Sequence, residues 1–149
     1  MRYMSRRKEN APTHRQFSLR VAAPVLEGLE RRAVERAESR NALAERYIAE
    51  GVRMDEHPDV YFRDGALGRR AAIIGTRLDV WQVMGTVRNS SNSVEAAAEY
   101  LDQTVEKVRA AVRYYAAYRD EVDEFAARAA ATADRAEALW RAEQEILAG

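Results

Sequence analysis

The chain has 149 residues, enough for one ordinary domain or two small ones, and 24 Lys/Arg balance 24 Asp/Glu. Hydrophobic residues make up 47%, but no apolar run approaches the roughly 20 residues needed to cross a bilayer, so a membrane span is excluded and a cytoplasmic protein is expected. With no cysteine, disulfides and thiolate metal sites are excluded; with only His14 and His57, far apart in sequence, no histidine metal site is expected, and no cofactor is expected.

Zero net charge hides a gradient. Residues 1–53 hold 12 Lys/Arg against 7 Asp/Glu, residues 54–118 hold 8 against 9, and residues 119–149 hold 4 against 8. A basic beginning suits a polyanion and an acidic end suits a different partner, although charge runs are also commonly solvated faces.

Residues 1–14 are polar and basic, lead into no apolar segment that would make a signal peptide, and read as a flexible arm in which Arg6 and Arg7 suit phosphate. Gln16-Phe-Ser-Leu-Arg-Val21 alternates polar and apolar residues, the period of a two-faced strand. Pro24 suits the first turn of a helix that carries Leu26, Leu29, Ala33 and Ala37 on one side and ends near Glu38. Ser39 is placed to cap a second helix with Ala44, Ile48 and Val52 along one face. His57-Pro58-Asp59 marks a boundary, so residues 15–56 are expected to form one domain.

On the strand, Phe17, Leu19 and Val21 share one face, and Gln16, Ser18 and Arg20 share the other. The apolar face can roof a core. The polar face can read bases, since glutamine pairs with adenine, arginine with guanine and serine with several. A lone strand is unstable, and two helices are too small to bury a core, so two copies should pair antiparallel into a ribbon that fits the major groove. An edge strand of an ordinary fold is the plainer alternative.

Gln16–Val21, then Pro24-Val-Leu-Glu27, then Ser39-Arg-Asn41, resembles the Arc/MetJ-type ribbon-helix-helix repressors over about 40 residues. The resemblance implies that Gln16, Ser18 and Arg20 read bases in operator DNA. It also implies that Arg15, Ser39, Arg40 and Asn41 hold phosphate, the last three at a helix N-terminus. Gly28 departs from the pattern, at about 1 kcal/mol against alanine inside a helix.

Further along, Val60–Arg63 and Ala71–Ile74 are expected to form a small hairpin. A helix follows over about Val80 to Arg88, then a polar loop with Asn92 and Glu95 at capping-box spacing, then a short helix over Val94–Leu101. Thr104 should cap a last helix with neither Gly nor Pro from Val105 to Ala148. Its seam runs 108, 111, 115, 118, 122, 125, 129, 132, 136, 139, 143, 146 in alternating steps of three and four, and only Thr132 and Glu143 break its apolar character. Unbroken, that helix would be roughly 65 Å long. Its far end must bend back, pair with a second copy, or bind a partner.

Gly75-Thr-Arg-Leu-Asp-Val-Trp81 with the helix phasing that follows is similar to a small antitoxin-associated family with a helix-turn-helix-like fold, over residues 58–120. That resemblance implies an antitoxin paired with a PIN-like ribonuclease toxin; Gly75 to Trp81 also reads simply as packing for a small core. Residues 121–149 form an acidic helical tail, with Phe125, Leu139, Trp140 and Ile146 available as partner anchors.

The expected architecture is therefore mainly α with short β: a ribbon-helix-helix dimerisation domain, a small helix-turn-helix-like domain and a long C-terminal helix. The leading functional expectation is an autorepressing antitoxin, homodimeric on operator DNA. A stand-alone repressor whose C-terminal helices only oligomerise is the alternative, and a helical adaptor without a DNA role is a third class. No phosphate loop, nucleophile elbow or metal-spaced cluster points to an enzyme.

Overall fold

The computed structural model describes residues 13–149; the basic arm, with Arg6 and Arg7, lies mostly outside them. The described chain is mainly helical with one two-stranded sheet, in the order α1 (Ala23–Glu35), α2 (Arg40–Glu56), β1 (Val60–Arg63), β2 (Arg70–Ile73), α3 (Val80–Asn89), α4 (Val94–Leu101), α5 (Val105–Ala117) and α6 (Arg119–Ala148). Two compact units divide between Ala44 and Glu45, inside α2 rather than at His57–Asp59.

In the first unit Pro24 lies in the opening turn of α1. The helix closes with a left-handed Ala37 (φ 53°), where Glu38 N–H donates to Ala33 O at 3.0 Å and Ala37 N–H to Val34 O at 3.1 Å. This is the paired bonding of a Schellman stop, with alanine where glycine is usual. The helix thus ends at Glu35, before Glu38, because the αL residue breaks it. Ser39 caps α2, its hydroxyl accepting from Ala42 N–H at 3.1 Å.

The second unit holds a contiguous apolar core. β1 and β2 pair antiparallel, Val60 opposite Ile73 and Arg63 opposite Arg70. Val60, Ile73, Val80, Val83, Val87, Ala97, Val108, Ala111, Tyr114 and Val122 are buried together. Ser93 caps α4 by accepting from Ala96 N–H at 3.1 Å, and Asn92 does not, since it takes a left-handed turn conformation (φ 60°) just outside the helix. Thr104 caps α5, accepting from Lys107 N–H at 3.3 Å.

The expected helix from Val105 to Ala148 is two helices. Tyr118 leaves helical geometry (φ −130°, ψ 46°), so α5 stops and α6 restarts one residue later. Glu121 in the first turn of α6, and Asp123 just after it, accept hydrogen bonds from Tyr114 and Tyr115 on α5.

Candidate nucleic-acid interface and partner surface

Residues 13–22 form no strand in the single chain. Strand hydrogen bonds run to a neighbouring strand, and the only sheet among the described residues pairs β1 with β2. Phe17 is 74% exposed, Leu19 63% and Val21 43%, and Arg15, Gln16, Ser18 and Arg20 are exposed with them. The structure therefore keeps the six-residue alternation together on the surface, leading through the extended Ala22 (ψ 144°) directly into α1. Only Ala33 and Leu43 are buried among the described residues of the first unit.

Of the expected phosphate-holding group, Ser39 turns its hydroxyl to its own helix, and Arg40 pairs with Glu30 of α1 at 3.1 Å. Asn41 is exposed. These three line an open hollow of about 470 Å³ together with Glu30, Ala33, Val34 and Glu38. Two carboxylates on the wall oppose a phosphate, and an anion there would have to compete with Glu30 for Arg40. The apolar part of the wall, Ala33 and Val34, suits a protein side chain better.

In the second unit the chemistry concentrates on Asp79, only 4% exposed. Its carboxylate accepts from Arg63 Nε at 2.8 Å, Arg70 Nε at 3.0 Å and the Trp81 indole at 3.2 Å. Asp79 also opens α3 in a capping box with Gln82, whose Oε1 accepts from Asp79 N–H at 2.9 Å. One carboxylate thereby joins both strands to the first turn of α3. A Cβ on Gly65 would lie 1.8 Å from the Arg70 guanidinium, so a side chain there would displace the end of Arg70 from its present position. The sequence reading missed this cluster, although the Asp-x-x-Gln spacing at 79–82 was the available signal.

Two further clusters hold α6. Arg53 on α2 donates to the Tyr114 hydroxyl at 3.1 Å and to Glu121, while Arg88 on α3 pairs with Asp123 at 2.9 Å. Burial pushes the Tyr114 hydroxyl well above the ordinary tyrosine range, and the neighbouring Glu121 charge adds to the shift. The hydrogen bond from Arg88 holds the Asp123 carboxyl below its usual range.

α4 and α5 are joined by the short turn Asp102–Thr104, in which Asp102 is left-handed (φ 52°). The exposed residues of α5 include Glu106, Arg109 and Arg113, and Arg109 pairs with Glu95 of α4 at 3.3 Å. Across α4, the turn and α5, Glu95, Glu99, Asp102 and Glu106 outnumber Lys107, Arg109 and Arg113, so the element lacks the excess of cations that suits a duplex backbone.

The four expected partner anchors separate. Phe125 is 5% exposed, its ring 6.1 Å from that of Trp81, and so belongs to this chain's own core; the break at Tyr118 turns the first half of the α6 seam onto α3. Leu139, Trp140 and Ile146 are exposed, as is Leu147. Every residue from 133 onward is exposed, a stretch of roughly 25 Å at 1.5 Å per residue.

No helix among the described residues is long and apolar enough to cross a membrane, and no His/Cys/Asp/Glu group among them could hold a metal ion. Compared with known proteins, the chain matches no family profile, no curated protein and no solved structure.

Proposed function

We propose that the chain is a cytoplasmic, DNA-binding autorepressor that acts as a ribbon-helix-helix dimer and serves as the antitoxin of a nuclease-like toxin of the PIN type. The observation that carries the DNA half is the exposed Gln16–Val21 segment. Three large apolar side chains stand in water, alternating with three base-reading types, beside two helices that bury almost nothing. A second copy resolves both problems at once: its own segment supplies the missing ladder, and the apolar faces of both cover a shared core. The hollow walled by Ala33 and Val34 suits side chains of that copy.

The antitoxin half is supported by the distal part of α6, an uncovered helix with large apolar side chains and an acidic balance, the form used to fill a groove. Burial of Phe125 removes one anchor from it and favours, as a second reading, a repressor that works without a toxin. A gel shift with the DNA upstream of its own gene tests the first half; random DNA bound equally well would defeat it. A growth assay with the product of the adjacent reading frame tests the second.

A further inference from the structure

Glu143 stands in the middle of the apolar stripe that the distal half of α6 leaves uncovered. On a helix the neighbours of a residue are those three and four positions away. For Glu143 these are Leu139, Trp140, Ile146 and Leu147, every one large, apolar and exposed. The nearest cation in sequence, Arg141, is two positions off on another face, where it pairs with Glu137. Whatever covers this stripe also takes the Glu143 carboxylate out of water. A carboxylate buried without a counter-charge is strongly unfavourable.

A second copy brings no remedy. Its corresponding stripe, Ala136, Leu139, Trp140, Glu143, Ile146 and Leu147, contains neither Lys nor Arg, so laying two tails together in either direction buries two carboxylates among apolar groups. A metal ion on the partner is also a poor match. Hard cations gather several oxygen ligands, and Glu143 offers one carboxylate with no oxygen-bearing side chain three or four positions away on its helix.

We propose that Glu143 is a specificity-determining residue: the distal half of α6 refuses a second copy of itself and accepts a protein cleft that is apolar at its walls and presents one arginine or lysine at its centre. An arginine can hold the carboxylate through two parallel hydrogen bonds once water is gone. The proposal rests on distal α6 being a docking face, which is the antitoxin half of the reading above. It adds the chemistry of the partner and a reason for the charge.

The test has two arms, both on the full chain. In sedimentation of the protein alone, Glu143→Leu should roughly double the particle mass relative to wild type at equal concentration, and Trp140→Ala added to it should restore the wild-type mass. An unchanged mass for Glu143→Leu, or fewer copies per particle when residues 133–149 are removed from the wild-type chain, overturns the proposal. The second arm measures affinity for the product of the adjacent reading frame. Glu143→Gln and Glu143→Leu should each weaken binding at least tenfold, even though leucine enlarges the apolar stripe. Tighter binding by Glu143→Leu overturns the proposal, as does binding that a metal chelator abolishes. If the wild-type chain does not bind that product, the neutralisation reading fails, and the role of Glu143 is then decided by the sedimentation result alone.

Discussion

The Tyr114 hydroxyl donates to Glu121 Oε1 at 2.8 Å, across the break that separates α5 from α6. The Tyr114 hydroxyl oxygen also accepts from Arg53, so one buried phenol ties α2, α5 and α6 together. Tyr114 is completely buried, and the rings of His57 and Tyr118 pack around it at 5.3 and 4.8 Å.

Tyr114→Phe should therefore destabilise the fold by about 1–3 kcal/mol, because Arg53 and Glu121 each lose a buried partner. The folded-state pKa of Tyr114 is raised above the ordinary tyrosine value of 10.0. Its contribution is thus fully present below pH 10 and is lost as pH rises further, since the unfolded chain gives up the proton first. Denaturant melts between pH 9 and 11 check this, and wild type and Tyr114→Phe falling in parallel would contradict it.

Removing the Asp79 carboxylate should be more damaging. Asp79→Ala leaves the guanidinium groups of Arg63 and Arg70 without their shared acceptor and takes the cap from α3, for an expected loss of about 3–5 kcal/mol. Thermal unfolding measures it. An Arg70→Ala change made in the Asp79→Ala background should cost much less than in wild type, because the two residues act as one unit.

The reverse sign is expected at Ala37. Alanine in the left-handed region is strained, so Ala37→Gly should stabilise the chain by about 0.5–1 kcal/mol in spite of glycine's greater freedom when unfolded. A lowered melting temperature would mean that the Schellman stop of α1 is not formed.

Local signals placed most elements where the structure has them, and the failures have specific causes. The hairpin, α3 and α4 were legible because β-branched runs, turn residues and caps lie within a few positions of one another. The Gln16–Val21 alternation was legible as a pattern, but a strand needs a neighbour, and among the described residues only β1 and β2 pair. The break at Tyr118 left no mark in the sequence. No Gly or Pro stands there, and the 3-4 seam continues through it, since Val122 and Phe125 are as apolar as a partner surface demands. The contacts that accompany the break are tertiary: Arg53 pairs with Glu121 and Arg88 with Asp123. Beyond the break Phe125 lies in the core against Trp81 rather than on the expected partner surface.

This corrected boundary sets a prediction for the tail. Phe125→Ala should lower stability by about 3–5 kcal/mol. Deletion of residues 133–149 should leave the melting temperature and DNA binding unchanged, because every residue removed is exposed, while ending neutralisation of a toxin in a growth test. A deletion that unfolds the protein would show that the tail is covered by something in solution.

For the DNA half, Arg20→Ala should cost about 1–3 kcal/mol per lost base contact and relax sequence preference, whereas Arg15→Ala should weaken binding to all sequences alike and flatten the salt dependence. Titrations at several salt concentrations on specific and random duplexes separate the two. Equal losses on both duplexes for Arg20→Ala would remove it from the reading face.

The chain's two tryptophans fall on opposite sides of the division within α6. Trp81 is half-buried against Phe125, and Trp140 is 59% exposed near the far end. Light emitted by the protein is consequently a mixture of two sources with different access to water. Iodide should quench the redder one first, leaving the bluer to follow the folding of the second unit. When something settles on the tail, the red component alone should shift and become shielded. The protein thus carries its own optical readout of occupancy, and a Trp140→Phe chain, silent at the tail, is the blank against which to read it.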